Sequence, residues 1–252
     1  MTFISDTYYM FLRWMKKLVR NPILLFFSLF QPIIFLLLFT QLFSSFGLLL
    51  GVNYTLFATA GIVLQNAFSS AFQSGTAIVD DIKSGFLAKI LATPASRASI
   101  LLGRLLSDAF RVFAQSLIIL VLAYGLGVFP ATGIIGYILI LVTVAFFGLA
   151  WSGISLALGL RTKSAETVFG IAGTLTFPLL FMSTALMKPQ LMPAWMQNVS
   201  AYNPISFAVN AIRDLIMTGY VWNSFSQAYG VISLIAVLTL GATLYEFRKV
   251  VS

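Results

Sequence analysis

Apolar residues run continuously along this chain and do not alternate with polar ones. No charged residue lies between Asn21 and Val79, between Val112 and Leu160, or between Thr167 and Met187. Continuous runs predict helices, whereas a membrane β-barrel would alternate apolar and polar positions. A helix rises 1.5 Å per residue, so either of the first two runs is far longer than one ~30 Å hydrocarbon core requires and must cross twice. The breaks fall at Ser44–Asn53, where Ser, Gly and Asn cluster, and in Tyr124–Gly133, "YGLGVFPATG". The pattern therefore predicts spans over 22–43, 55–79, 106–125, 134–159 and 166–187, with a sixth over 226–247 inside the apolar stretch Leu215–Tyr245. Between the last two, Pro189, Pro193 and Asn203-Pro204 divide the chain. A span broken this way would leave backbone groups unpaired in lipid. The segment 189–218 is accordingly expected to form short re-entrant helices in the outer leaflet.

Composition fits this reading. Of 252 residues, 60% are hydrophobic and 9% charged, against roughly 25% charged in soluble domains. The fold class is thus an all-α integral membrane protein, with 1–252 forming a single transmembrane domain. There is no cysteine and no histidine, which removes thiol, imidazole and zinc chemistry. No paired carboxylates or nucleophile constellation stand out. No catalytic residue and no metal ligand are assigned, and the chain is not expected to be an enzyme.

The position of the charge gives orientation. Of 15 Lys and Arg, all but Lys188 and Arg213 fall in the N-terminal segment, in 80–111, at Arg161 and Lys163, or at Arg248 and Lys249. With six spans these regions share one side, which the positive-inside rule makes cytoplasmic, both termini included. The expected location is the plasma membrane. The net charge of +8 then reads as a topology signal and an attraction to anionic lipid, and calls for no nucleic acid.

Two cytoplasmic segments have a shape of their own. In 1–20, Arg13, Lys16, Lys17 and Arg20 share one helical face, opposite Ile4, Tyr8, Phe11, Met15 and Leu18, with Trp14 at the boundary. This predicts an amphipathic helix lying on the membrane surface. Residues Asp80–Arg111 hold eight charges. Within them Phe86, Leu87, Ile90 and Leu91 form one stripe of a short helix, flanked by Lys89 and Arg97. Thr93-Pro94 ends that helix, and Ser96 can cap the next. The hairpin 80–105 reads either as a plain stop-transfer loop or as a docking element for a cytosolic partner. The spacing of its large apolar residues favours docking.

Gln31, Gln65, Asn66 and Gln73 lie within apolar spans. Such groups are costly in lipid and should face protein or a pathway. They are candidates for a substrate path, and interhelical hydrogen bonding is an equal reading. Asp108, Glu166 and Asp214 fall near predicted span ends, where water is expected to reach them. A mid-membrane carboxylate, usual in ion-coupled transporters, is missing. The phosphate-binding pattern G-x-x-x-x-G-K-[ST] is absent too, so any ATP-driven transport needs a separate ATPase subunit.

Three stretches carry a resemblance to a known family: "RNPILLFFSLFQPIIFLLLF" (Arg20–Phe39), "GFLAKILATPASRASILLGRLLSDAFR" (Gly85–Arg111) and "YNPISFAVNAIRDLI" (Tyr202–Ile216). In order and spacing they resemble permease subunits of ABC-2 type transporters, closest to the daunorubicin-type drug-efflux branch. This chain has Ala88 where family members often carry an acidic residue. The resemblance implies an exporter of hydrophobic or amphipathic compounds working by alternating access. Its permease would pair with a second permease subunit, expected to be identical, and with a pair of P-loop ATPase subunits. ATP and Mg would sit on those subunits and no cofactor on this chain. Phe86, Leu87, Lys89, Ile90, Leu91, Thr93, Pro94 and Arg97 would couple it to the ATPase. Asn203, Pro204 and Arg213 would belong to an outer gate. Lipid-linked polysaccharide export by the same family is the alternative, and an ATP-independent channel or secondary transporter a further one.

Overall fold

A computed structural model describes residues 3–43 and 53–251. Ten α-helices account for most of them: α1 (Phe3–Val19), α2 (Pro22–Leu42), α3 (Tyr54–Lys83), α4 (Phe86–Leu91), α5 (Arg97–Gly125), α6 (Gly133–Thr162), α7 (Ala165–Phe181), α8 (Ala194–Tyr202), α9 (Pro204–Met217) and α10 (Trp222–Val251). No strand occurs among the described residues. The expected break at Ser44–Asn53 lies outside them except for Asn53, whose Oδ1 accepts from the amides of Thr55 and Leu56 and so starts α3. Ser96 and Ser164 cap α5 and α7 in the same way. Each satisfies an amide that the first helical turn leaves open. Gly85, at φ 68°, turns the chain from α3 into α4, a conformation that glycine adopts without steric penalty.

Helices α2, α5, α6 and α10 are long and apolar enough to cross a membrane. The expected second span lies within α3, whose 30 residues rise about 45 Å. It is less apolar because Gln65, Asn66, Ser69, Ser70, Gln73 and Ser74 sit along it. It can carry them because it is the central helix, packed by α2, α5, α6, α7 and α9. The expected fifth segment, 166–187, is a helix only as far as Phe181. Asn203 Nδ2 donates to the carbonyls of Leu179 and Met182 at 2.7 and 3.1 Å, taking up acceptors that the helix end would leave open. Residues 189–218 hold a short 3₁₀ turn, α8 and α9, separated at Pro193 and at Asn203-Pro204. Pro204 stands at the first turn of α9, where its missing amide costs nothing.

The core has two parts. In the larger, Phe68 packs on Phe147 and Trp151 between α3 and α6. The α3–α6 seam is close because its residues are small. A Cβ on Gly159 would strike the Gly75 backbone, and one on Gly75 would strike Ser155. Ser155 Oγ donates to the Phe72 carbonyl at 2.7 Å and accepts from the Gly75 amide at 2.8 Å. Thr239 and Thr243 of α10 donate to the Ala150 and Gly153 carbonyls of α6. These are the small-residue approaches that membrane helices use for packing. The smaller core lies at the opposite end of α3 from Asn53 and gathers Ile78, Leu87, Ile90, Ile100, Leu101, Leu105, Leu156, Leu160 and Phe247.

Candidate functional site

The hairpin between α3 and α5 turns its stripe inward. Leu87 and Ile90 are buried in the smaller core, with Phe86 and Leu91 half-buried against it. The face left open presents Ala88, Lys89, Ala92, Thr93, Pro94 and Arg97. Thr93 Oγ1 donates to the Ile90 carbonyl at 2.6 Å, closing the end of α4. The apolar spacing of α4 is therefore used to seat the hairpin on its own chain. What the hairpin offers a partner is a short surface of small residues with two cations, Lys89 and Arg97.

Helix α1 locks this hairpin. It crosses α5 at Gly103, where any Cβ would meet Met10 and the Thr7 carbonyl. Trp14, at the boundary between the basic and apolar faces of α1, is 6% exposed. The guanidinium carbons of Arg13 and Arg104 lie 4.5 and 4.0 Å from the centre of its ring. Arg13 also covers the Phe86 ring. Such cation–π contacts are worth about 0.5–2 kcal/mol each. Two members of the basic face turn to protein: Lys17 Nζ and Arg13 Nη2 reach Asp81 Oδ1 at 3.1 and 3.5 Å. Burial lowers the Arg13 pKa, and the Asp81 charge opposes that shift. Lys16 and Arg20 stay exposed, as do Ile4 and Tyr8.

Deeper on α5 lies a charged cluster that the sequence reading missed. Arg104, Asp108 and Arg111 are 4%, 2% and 7% exposed. The expectation that water reaches Asp108 is overturned. Arg104 Nε donates to Asp108 Oδ2 at 3.1 Å, and Arg111 Nη2 reaches Asp108 Oδ1 at 3.2 Å. Ser74 Oγ also donates to the Asp108 carboxylate. The two arginines reach across to α3: Arg104 Nη2 donates to the Ser74 carbonyl at 3.2 Å and Arg111 Nη2 to the Ser70 carbonyl at 2.6 Å. A buried carboxylate persists when paired and hydrogen-bonded in this way. The signal was present in the sequence, since spacings of i, i+4 and i+7 put all three on one helical face.

Beside the cluster is a cavity of about 600 Å³. Gln31, Gln65, Asn66 and Gln73, the four candidate path residues, all line it. On α3, Gln65, Ser69, Gln73, Thr76 and Asp80 form a stripe down one wall. Arg104, Asp108, Arg111 and Gln115 of α5 form a second. Phe27, Pro32 and Phe35 of α2 supply an apolar side. Gln115 Nε2 donates to Ser28 Oγ at 2.8 Å, tying α5 to α2. The lining is thus mostly apolar, with polar side chains set into it from α2, α3 and α5.

The three candidate gate residues lie toward the other end, Asn203 and Pro204 at the start of α9 and Arg213 near its far end, about 15 Å away along the helix. Asn203 Oδ1 accepts from the Ile205 amide and starts α9. Arg213 Nη2 donates to the Thr184 carbonyl at 2.6 Å, and its guanidinium lies over the Phe57 ring at 3.8 Å. Thr184 in turn donates to Asn210. The turn after α7, helix α9 and the start of α3 are thereby held as one unit. Among the described residues no cluster of three or more Asp or Glu could hold a metal ion.

Long apolar helices packed around a partly polar cavity define a multi-pass membrane protein. Residues 6–217 match the model of the ABC-2 type transporter family, and the chain belongs to it. It is 30% identical over 243 residues to the daunorubicin resistance ABC transporter permease protein DrrB1 of Streptomyces coeruleorubidus, covering 95% of this chain and 86% of that one. It is 31% identical to the transport permease ycf38 of Cyanophora paradoxa, over 84% of this chain and 74% of the relative. A doxorubicin resistance ABC transporter permease protein, DrrC, of Mycobacterium tuberculosis is 24% identical over 87% of this chain.

Proposed function

We propose that this chain is the permease subunit of a drug-efflux ABC exporter, moving hydrophobic or amphipathic compounds out of the cytoplasm. The observation that carries the reading is the cavity between α2, α3 and α5, where a mostly apolar lining carries a few polar and charged side chains, among them Gln31, Gln65, Gln73 and Arg111. That is the lining an amphipathic compound needs, since its two halves require different surroundings. The relatives named for daunorubicin and doxorubicin resistance support it. Energy comes from a pair of P-loop ATPase subunits bound at the cytoplasmic hairpin, with an identical second permease completing the transporter. Both termini are cytoplasmic, six segments cross the plasma membrane, and α8 with α9 form the re-entrant elements of the outer gate. ATP-driven closure pulls on α3 and α5 through α4, and Trp14 with its two arginines passes the movement to α1.

The test is transport in inverted membrane vesicles. With the cognate ATPase co-expressed, ATP should drive accumulation of a fluorescently labelled amphiphile to roughly tenfold above vesicles lacking the permease. Accumulation that persists without the ATPase and collapses with the proton gradient contradicts the proposal.

A further inference from the structure

The charges in the cavity wall do not balance. Two guanidinium groups, Arg104 and Arg111, share one carboxylate, Asp108. The other nearby carboxylate, Asp81, is taken by Arg13 and Lys17. Asp80 is exposed at the α1 end of the cavity. The cluster therefore holds one excess positive charge, and burial makes an uncompensated charge costly. Arg111 lies five residues beyond the expected span boundary at 106, about 8 Å deep along the helix.

A second observation points the same way. Arg111 Nε, Asn66 Nδ2 and Ser70 Oγ are buried donors without a hydrogen-bond partner, while Gln73 Oε1 and Gln115 Oε1 are unpaired acceptors, suited to an ordered water and not to an anion. All five residues line this one cavity. Asn66, Ser70 and Arg111 are each more than nine-tenths buried. Native proteins rarely leave so many buried polar atoms unpaired in one place, and such a group invites a ligand or ordered water. Asn66, Ser70 and Gln73 follow one another at i, i+4 and i+7 on α3. Arg111 is joined to the Ser70 carbonyl, which sets the Arg111 and Ser70 donors side by side.

We propose that this cavity binds the anionic headgroup of an amphiphile. A phosphate or carboxylate accepts from Arg111 Nε, Asn66 Nδ2 and Ser70 Oγ and supplies the missing negative charge. The apolar tail lies along Phe27, Pro32 and Phe35 of α2. Charge-assisted bonds of this kind are short and strong, and arginine suits planar anions. The inference deepens the export reading by naming the class of compound the cavity prefers. It is tested on the permease alone, so its failure would leave that reading standing, and failure of export would leave this one untouched.

The experiment is native mass spectrometry of the full-length chain in detergent, offered equal amounts of phosphatidylglycerol and phosphatidylcholine, with inorganic phosphate as the free-anion competitor. The expected result is one tightly retained phosphatidylglycerol, preferred at least tenfold over phosphatidylcholine and not displaced by millimolar phosphate. Arg111→Gln and, separately, Asn66→Leu should each cut that retention at least fivefold. Asn66→Leu removes no charge, so it tests the site without unpairing Asp108. Lys16→Gln with Arg20→Gln, which strips exposed charge from α1, should leave the retained copy in place. Equal retention of the two lipids overturns the proposal, as does retention that survives both cavity variants or is lost with Lys16 and Arg20. Displacement by inorganic phosphate also overturns it, because the site would then hold a free anion.

Discussion

Asp108→Ala is expected to abolish accumulation of folded protein in the membrane. The substitution leaves Arg104 and Arg111 buried with no counter-charge and removes the acceptor that holds Ser74. Breaking one partner out of a buried ionic cluster typically costs about 3–5 kcal/mol, because the remaining charges stay desolvated. The same principle predicts a rescue. Replacing the whole cluster, as Arg104→Met, Asp108→Leu and Arg111→Met together, leaves no buried charge and should restore folding. The rescued protein should no longer retain phosphatidylglycerol. Thermal unfolding of the detergent-extracted chain, followed by size-exclusion chromatography, reads both effects. An Asp108→Ala protein that melts within about 2 °C of the parent would show that the cluster carries little stability.

The second large effect is expected at the open face of the hairpin. Ala88→Arg together with Ala92→Arg adds bulk and charge where α4 points away from its own chain. Neither residue supports the smaller core, so insertion and yield should be unchanged. ATP-driven export in inverted vesicles should fall to the level of vesicles without the permease, because the ATPase can no longer seat. Leu87→Asp and Ile90→Asp form the contrasting pair. These side chains are 4% and 7% exposed, and a buried unpaired carboxylate should reduce the amount of folded protein itself. Export that survives both arginines at normal rates would place the ATPase contact elsewhere.

This contrast shows what the sequence could and could not reveal. The stripe Phe86, Leu87, Ile90 and Leu91 marks α4 as a short amphipathic helix, since periodicity reports that one face is covered. Periodicity does not say what covers it, and here the cover is Ile78, Leu101 and Leu160 of the same chain. Similarly, the spacing of Arg13, Lys16, Lys17 and Arg20 gives one basic face on α1. That Arg13 and Lys17 meet Asp81 depends on a carboxylate more than sixty positions away, which no local pattern contains. The Arg104, Asp108 and Arg111 cluster lies between these cases. Its one-sided spacing is local and legible, whereas its burial depends on the packing of α5 against α3, which no local pattern contains. The gathering of Gln31, Gln65, Asn66 and Gln73 around one cavity was legible as a cost argument, since apolar helices tolerate such groups where they have somewhere polar to face. The five unpaired atoms became visible only once α2, α3 and α5 were packed together.

The central claim is that a cytosolic ATPase grips the end of the molecule formed by α4. The chain has no cysteine, so a single introduced thiol reports its own surroundings. Ala92→Cys sits on the open face of the hairpin, and Ala131→Cys lies in the turn after the far end of α5. A thiol-reactive photo-cross-linker attached at each position is activated in cells that co-express the ATPase. The account predicts a cross-link to the ATPase from Ala92→Cys and none from Ala131→Cys. A cross-link from Ala131→Cys alone, or labelling of Ala92→Cys by an impermeant maleimide added outside intact cells, would contradict it.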